Sequence, residues 1–136
     1  MHFSRIKETC LYVQNLDRTE AFYKGILDLK VIGREEGRHI FFQAGSSVLL
    51  CFIADATRKE KVLPPHYGEG KMHMAFEIPP EQYSEAKTWI RSKGIEIEHE
   101  QHWFEEYYSF YFRDPDGHSL EVVPKGMWGE ADDREE

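Results

Sequence analysis

Three side chains of types that bind divalent metal ions occupy corresponding places in this sequence. Glu8 and His73 open two matched segments, and Glu121 closes the second of them. Imidazole nitrogen and carboxylate oxygen are both ordinary ligands of divalent metals. Two carboxylates that share one cavity repel each other unless a cation or a proton lies between them. The set therefore indicates a metal centre, provided that the fold brings the three side chains together.

The matched segments belong to an internal repeat. A strand-like stretch at 8–13 precedes an amphipathic run at 17–27, and a strand-like stretch at 73–78 precedes a second amphipathic run at 80–93. Each copy is too small to bury its own apolar face, so the two should close around a shared core. We expect an α+β fold of two βαβββ modules that form a cupped mixed sheet with helices outside.

The repeat also predicts how the chain is divided. We expect a single domain over residues 1–136, built from module 1 at about 5–54, a linker at 55–71, module 2 at about 72–125 and an acidic tail at 126–136. The end of that tail, residues 130–136, holds five acidic residues and one arginine. Such a run of like charge is typical of a solvated terminus.

The alternation of side chains along strands predicts which residues share a face. Successive residues of a strand point to opposite faces of the sheet. The more apolar faces, which should pack beneath the helices, carry Thr9, Leu11 and Val13 in the first strand, Met74, Phe76 and Ile78 in its counterpart, and Leu120 and Val122 in the last. Glu8, His73 and Glu121 then lie on the opposite, inner surface.

Turn and capping signals set the remaining elements. Asn15 or Asp17 can cap the first helix, with Glu20 completing a capping box. A strand is predicted at 95–99, followed by a loop over 99–108 that is dense in aromatic and histidine residues. That loop is typical of a lid over an apolar or aromatic ligand, or of an aromatic patch at a dimer interface.

Composition excludes several classes of protein. Hydrophobic residues make up 40% and charged residues 31% of the chain, which is ordinary for a globular protein. A net charge of −8 disfavours binding to nucleic acid or to an anionic membrane. The only two cysteines, Cys10 and Cys51, lie in predicted strands, which fits a reducing cytoplasm. No signal peptide or membrane-spanning stretch is evident.

Two segments carry a resemblance to a known family. They are the run from Glu8 to Asp17 with Ala21-Phe22-Tyr23, and the run Ser109-Phe110-Tyr111-Phe112-Arg113-Asp114-Pro115-Asp116-Gly117-His118-Ser119-Leu120-Glu121, joined by His73-Met74-Ala75-Phe76. In order and spacing, residues 5–125 resemble the vicinal oxygen chelate superfamily. This superfamily contains glyoxalase I, extradiol dioxygenases, methylmalonyl-CoA epimerase and the fosfomycin and bleomycin resistance proteins.

The resemblance implies a divalent metal held by Glu8, His73 and Glu121, and a homodimer, as in many relatives. Glu8 departs from the histidine that is usual at the first position. A Glu, His, Glu set is harder and more anionic than a His, His, Glu set. It should favour Mn²⁺, Fe²⁺ or another hard-to-borderline ion such as Ni²⁺, with Zn²⁺ still possible.

Two subfamilies fit less well. Glyoxalase I needs a further Glu in the last strand of the first copy, and residues 48–53 contain no carboxylate. The fosfomycin resistance enzymes need a hydroxyl two residues after the first ligand and an arginine beyond the last one. Here Cys10 stands at the first place, and no arginine lies between Arg113 and Arg134.

Five further residues are candidates for the site. His39 is the candidate general base, and a satisfied strand histidine is the alternative. Tyr111, Ser109, Trp103 and Tyr12 are candidate contacts for a small-molecule substrate, while Phe110 and Phe112 should be core. The function predicted is a divalent-metal-dependent, glyoxalase-like isomerase, lyase or dioxygenase acting on a small oxygen-chelating substrate. The alternatives are a metal-free small-molecule binder of the bleomycin-resistance kind and a purely regulatory domain.

Overall fold

The computed structural model describes residues 1–129, which fold as two compact units. The first unit spans Met1–Gly70 and the second begins at Lys71. Each contains one βαβββ arrangement, as the repeat predicted. The acidic stretch at 130–136 lies outside the described residues, and the expectation of a single domain stays a prediction.

The first unit is a four-stranded mixed sheet with strand order β1-β4-β3-β2. Strand β1 runs parallel to β4, and the other neighbouring pairs are antiparallel. Its elements are β1 (Glu8–Val13), α1 (Leu16–Glu20, continued by a π-helical stretch at Ala21–Ile26), β2 (Lys30–Glu35), β3 (His39–Ala44), β4 (Ser47–Ile53) and α2 (Ala54–Arg58). The predicted linker therefore begins with a short helix.

One of the two predicted caps starts helix α1. The side chain of Asn15 accepts a hydrogen bond from the backbone N–H of Arg18 at 2.8 Å, which satisfies one of the unpaired donors of the first turn. The predicted capping box of Asp17 and Glu20 was wrong. Both carboxylates instead accept hydrogen bonds from the guanidinium of Arg34 on β2, because a charged donor competes well against a backbone amide.

The predicted alternation holds from Cys10 to Val13, but Thr9, expected on the buried face, is exposed at the start of the strand. Leu11 and Val13 are buried, whereas Glu8, on the other face, is exposed, and Cys10 and Tyr12 are half-buried. The remaining core residues of this unit come from the helix and from strands β3 and β4, and they include Phe22, Tyr23, Ile40, Phe42, Leu49 and Cys51. The face that carries Glu8 is therefore not part of the core of this unit.

The second unit repeats this topology, with strand order β5-β8-β7-β6 and β5 parallel to β8. Its elements are β5 (His73–Ile78), a 3₁₀ turn at Pro80–Gln82 that leads into α3 (Tyr83–Ser92), β6 (His99–Phe104), β7 (Tyr107–Arg113) and β8 (Ser119–Pro124). Phe110, Phe112, Leu120 and Ile90 are at most 2% exposed and form its core. The prediction that Phe110 and Phe112 are core residues is confirmed.

The aromatic stretch at 99–108 is a β-hairpin, so the prediction of a strand at 95–99 followed by a lid loop was wrong. Strands β6 and β7 pair antiparallel, with His99 opposite Tyr111, around a tight turn in which Glu105 has a φ of 46°. Strand β6 lies at the edge of the sheet and is mostly exposed. Its side chains therefore lack the burial pattern by which a strand is recognised. Within residues 1–129, no helix is both long and apolar enough to cross a bilayer.

Candidate metal centre

His73 and Glu121 meet on one face of the second unit. His73 opens β5, and Glu121 pairs with Ala75 of the same strand, so both side chains project to the same side. His73 Nε2 lies 3.2 Å from Glu121 Oε1. The Glu121 side chain is 8% exposed and the His73 side chain 51%. The pair therefore joins a buried carboxylate to an imidazole that solvent or a ligand can reach.

A backbone hydrogen bond orients the His73 ring. Its Nδ1 lies 2.9 Å from the carbonyl oxygen of Ser119. A carbonyl oxygen can only accept, so Nδ1 carries the hydrogen and donates it. In the neutral imidazole, Nε2 then presents a lone pair toward the Glu121 carboxylate. Two acceptors at this distance repel each other unless a proton or a cation lies between them.

The spacing of the two atoms suits two ligands of one metal ion. Bonds of about 2.0–2.2 Å from a metal to nitrogen and oxygen, with the donor atoms 3.2 Å apart, correspond to an angle of roughly 100° at the metal. Histidines that bind metals usually donate their other ring N–H to a carbonyl or carboxylate, as His73 does here. Both residues thus fit a divalent ion in type, spacing and orientation.

The third predicted ligand, Glu8, belongs to the first unit. Within residues 1–129, no three His, Cys, Asp or Glu side chains are grouped so that they could hold a metal ion. The second unit thus contains two members of the predicted triad in contact, and the contribution of Glu8 stays a prediction.

Tyr111 lies beside the carboxylate. It is the β7 partner of Glu121 and hydrogen-bonds to it through the side chain. Burial raises the pKa of the Tyr111 hydroxyl, and the neighbouring Glu121 raises it further, although a hydrogen bond with Ser109 opposes this. The hydroxyl therefore stays protonated near neutral pH and can donate a hydrogen bond.

Ser109 and Trp103 extend the same strands. Trp103 Nε1 donates to the buried Ser109 Oγ at 2.9 Å, while about half of the Trp103 side chain is exposed. The His99 and Tyr111 rings are also close, with centroids 5.9 Å apart. The predicted roles of Ser109, Tyr111 and Trp103 in binding substrate stay predictions, but these residues do border the His73–Glu121 pair or one another.

The first unit contains a cavity of about 690 Å³ on the face that bears Glu8. Cys10 and Tyr12 line it together with Glu8, as the alternation along β1 predicted. Its apolar wall comes from β3, β4 and the segment that follows α2: Phe41, Val48, Leu50, Phe52, Leu63 and Pro64. The cavity thus combines an aromatic and aliphatic wall with a polar edge.

His39, the predicted base, lines this cavity from the start of β3. Its ring stacks on Phe41, with centroids 4.1 Å apart, and its buried Nδ1 has no hydrogen-bond partner within the described residues. Burial lowers the pKa of His39, and Arg38 lowers it further against an opposing effect of Glu35. The imidazole is therefore held neutral, which is the state of a proton acceptor.

Several residues at the cavity edge were missed from the sequence. Arg38 forms an ion pair with Glu60, and the Tyr12 hydroxyl lies 2.6 Å from His66 Nδ1. Glu60 and His66 belong to the stretch that the sequence indicated only as a linker. Residue spacing carries no signal for these contacts, because they depend on the chain after α2 folding back onto β1 and β3.

A second cavity, of about 550 Å³, lies in the second unit, where α3 faces the β6–β7 hairpin. Tyr83, Lys87 and Glu100 line it, and both Tyr83 and Lys87 donate hydrogen bonds to the Glu100 carboxylate. Neither His73 nor Glu121 borders it. Lys87 and Glu100 already pair with each other there, so we do not assign the cavity to the metal chemistry.

Comparison with known proteins identifies the family. The family model of the Glyoxalase/Bleomycin resistance protein/Dioxygenase superfamily matches residues 5–122. The chain belongs to this superfamily. The resemblance noted in the sequence and the α+β fold of two βαβββ modules are both confirmed.

Individual members of the superfamily are similar over most of the chain. A metallothiol transferase FosB from Staphylococcus epidermidis (strain ATCC 12228) is 28% identical over 126 residues, which cover 90% of this chain and 82% of that protein. A metallothiol transferase FosB from Shouchella clausii is 31% identical, covering 81% and 73%. The crystal structure of a lactoylglutathione lyase from Agrobacterium tumefaciens is 34% identical, with a TM-score of 0.88, covering 93% and 97%.

The sequence departs from the glyoxalase I and fosfomycin resistance patterns at positions that are compatible with membership of the superfamily. Strand β4 carries no carboxylate, so the residue that the glyoxalase I pattern needs there has no counterpart. Cys10 occupies the position two residues after Glu8 and lines the first unit's cavity. These departures leave the family assignment unchanged, because the family model matches residues 5–122 as a whole.

Proposed function

We propose that this protein is a divalent-metal-dependent, glyoxalase-like enzyme acting on a small organic substrate with adjacent oxygen atoms. The observation that carries the proposal is the His73–Glu121 pair, with donor atoms 3.2 Å apart and Nδ1 of His73 committed to the Ser119 carbonyl. With neither a cation nor a proton between them, this arrangement sets a lone pair against a carboxylate. With a metal cation, both groups are ligands of ordinary type.

The proposed ion is catalytic rather than structural. Structural sites in proteins are closed by four protein ligands, whereas catalytic sites keep positions open. His73 and Glu121, with Glu8 as the proposed third ligand, leave such positions, and the exposed side of His73 gives access to them. When bound, the ion would polarise the oxygen atoms of a chelating substrate.

We propose that the ion is Mn²⁺, Fe²⁺ or Ni²⁺, with Zn²⁺ as a further candidate. Two carboxylates and one imidazole form an oxygen-rich, anionic set, which favours harder ions. The family relationship supports a divalent metal in general and does not distinguish among these four.

The chain's own residues would orient the substrate and move its protons. Tyr111, which burial and Glu121 keep protonated, would donate a hydrogen bond beside the metal. His39, which burial keeps neutral, is the proposed base. Ser109 and Trp103 in the second unit and Tyr12 in the first are the proposed substrate contacts.

The names of the relatives favour two kinds of reaction. One describes transfer of a thiol with a metal, and the other describes a lyase for lactoylglutathione. Both involve small sulfur-containing molecules. We therefore propose lyase or group-transfer chemistry ahead of isomerisation and oxygen insertion, with a small-molecule substrate in each case.

Metal binding is the first test. Protein purified without added metal would be analysed for metal content, then titrated with Mn²⁺, Fe²⁺, Ni²⁺ and Zn²⁺. We expect about one equivalent bound by the wild type, none retained by His73→Ala, and weakened binding in Glu8→Gln. His102→Ala is the matched control, because its exposed imidazole hydrogen-bonds to the Glu105 carbonyl and stacks on the Tyr108 ring, away from the His73–Glu121 pair. Wild-type protein that binds none of the four ions would contradict the proposal.

A metal-free binding protein is the second candidate, and the first unit's cavity favours it. A volume of about 690 Å³ with Phe41 and Phe52 in its wall is large enough for a drug-sized aromatic ligand. Quenching of tyrosine and tryptophan fluorescence by aromatic compounds would be measured in the presence of a chelator. Tight, metal-independent binding together with no metal uptake would establish this function instead.

A further inference from the structure

The buried turn at residues 114–118 of the second unit is linked to the His73 ring by a series of hydrogen bonds. The Asp114 carboxylate accepts hydrogen bonds from the backbone N–H groups of Asp116 and His118, at 3.0 and 2.9 Å. The Asp114 N–H in turn donates to the His118 carbonyl at 3.2 Å. Asp114 and His118 are 5% and 1% exposed. The turn therefore holds the His118 side chain in a single, enclosed position.

The His118 imidazole reaches the residue just before His73. Its Nδ1 accepts a hydrogen bond from the backbone N–H of Met72 at 2.9 Å. The Met72 carbonyl accepts from the Ser119 N–H at 2.8 Å. Both backbone groups of Met72 are thus bound by adjacent residues of the turn and strand that lead to Glu121, so the start of β5 is held in place from both sides.

The same series of bonds ends at the candidate metal ligand. The Ser119 carbonyl accepts the Nδ1 hydrogen of His73 at 2.9 Å. His118 is therefore joined to the His73 ring through Met72 and Ser119. A shift of Met72 would move the His73 backbone relative to that carbonyl, and the ring would lose the bond that directs Nε2 toward Glu121.

We propose that His118 is a positioning residue, which sets the orientation of His73 through its hydrogen bond to Met72. The proposal rests on the function proposed above only in taking His73 to be a metal ligand. Partners of metal ligands of this kind typically change metal affinity about 10- to 100-fold when they are replaced. His118 would act on His73 through Met72 and Ser119, and it would contact neither the ion nor the substrate.

The residue type suits this role. The Met72 N–H lies in a partly buried place, where it donates to the enclosed His118 ring, and an unmet donor in such a place destabilises the fold. An imidazole offers a nitrogen acceptor on a rigid ring that also fills the space beneath the turn. Asparagine carries its carbonyl oxygen on the same atom, Cγ, that bears Nδ1 in histidine, whereas glutamine carries it one carbon further out.

A matched pair of variants tests the proposal, with Ile90→Ala as a control for general loss of stability. Ile90 is 2% exposed on α3 and takes no part in these hydrogen bonds. We expect His118→Gln to weaken Mn²⁺ or Zn²⁺ affinity about 10- to 100-fold, and His118→Asn to restore most of it. Ile90→Ala should lower the melting temperature but leave the affinity of the folded protein unchanged.

Nuclear magnetic resonance of the metal-free protein gives a readout that is independent of metal. We expect nitrogen-15 spectra of the wild type to show His118 Nδ1 without hydrogen and His73 Nδ1 with it. In His118→Gln, the His73 ring should become a mixture of tautomers, and the Met72 amide should exchange faster. His118→Asn should keep both wild-type signatures.

The outcomes separate the two proposals. A hydrogen on His118 Nδ1 in the wild type would overturn the positioning role at once, without any variant. So would a His118→Gln protein with a wild-type His73 tautomer or wild-type metal affinity, or equal losses in Ile90→Ala. If the wild type binds no metal, the proposed function fails, and the tautomer measurement still decides whether His118 orients His73.

Discussion

Replacing Glu121 by glutamine should have opposite effects on the metal-free and the metal-bound protein. When His73 is neutral and no metal is bound, the wild-type carboxylate faces the His73 Nε2 lone pair at 3.2 Å. A glutamine amide can instead donate a hydrogen bond to that nitrogen and still accept one from Tyr111. The variant should therefore be more stable without metal and should respond much less to added metal.

The size of each effect follows from the contacts. One neutral hydrogen bond in place of a repulsive contact contributes about 0.5–1.5 kcal/mol, which corresponds to a rise in melting temperature of roughly 2–6 °C for a domain of this size. Structural zinc sites bind with about 10–16 kcal/mol through four ligands, so one ligand contributes roughly 3 kcal/mol and its loss weakens binding about 100-fold. At a free metal concentration 100 times the wild-type Kd, metal stabilises the wild type by about 2.7 kcal/mol and the variant by about 0.4 kcal/mol.

Thermal unfolding at pH 8, where imidazoles are ordinarily neutral, measures both effects, with a chelator in one arm and Mn²⁺ or Zn²⁺ in the other. Glu96→Gln is the control, since it removes the same charge from an exposed position between α3 and β6 and should change neither melting temperature. A Glu121→Gln protein that is less stable than the wild type without metal and equally stabilised by metal would refute the reasoning.

Three further predictions concern pH, the Asp114–His118 turn and assembly. Hydrogen bonds from the Leu63 and Val62 N–H groups, followed by the charge of Arg38, lower the pKa of Glu60 below its usual 4.5. The ionised carboxylate therefore stabilises the fold above pH 4.5, and this stabilisation is lost as the pH falls through the lowered pKa. Between about pH 5 and 3, the free energy of unfolding should consequently fall less steeply in Glu60→Gln than in the wild type. Gly117→Ala should lower the free energy of unfolding by about 1–2 kcal/mol in urea titrations, because Gly117 has a φ of 85°, whereas Gly25→Ala, with no positive φ and open space around it, should be neutral or stabilising. Sedimentation equilibrium should give about twice the 16.1 kDa mass of one chain, and a purely monomeric protein would contradict the expected homodimer.

Local sequence patterns predicted the structure correctly where one face of a strand is buried and the other is open. Leu11 and Val13 alternate with Glu8 and Tyr12 because one face of β1 is buried and the other is open, and strand pairing then transmits that alternation across the sheet. The Asn15 cap and the turn before Gly117 are local as well. They depend on side-chain chemistry within four residues of the backbone groups that they satisfy.

Edge strands and return segments were harder to predict. In β6, Trp103 and Phe104 are largely exposed, so aromatic density indicated a loop where the backbone pairs with β7 along one side only. The wall of the first unit's cavity depends on His66 meeting Tyr12 across 54 positions of the sequence. A propensity summed over neighbouring residues contains no term for such a contact.

By itself, the sequence determined the two βαβββ modules, the family and the alternation of Leu11 and Val13 with Tyr12, and it predicted the residue types of a candidate metal centre, because these depend on local periodicity and on motif spacing. Only the tertiary structure decided that His73 and Glu121 meet at 3.2 Å, that the Ser119 carbonyl selects the His73 tautomer and that His118 holds Met72. Each of these contacts joins residues 46 or more positions apart along the chain. Its geometry is set by the register between two parallel strands, where a slip of one residue would send every side chain to the opposite face.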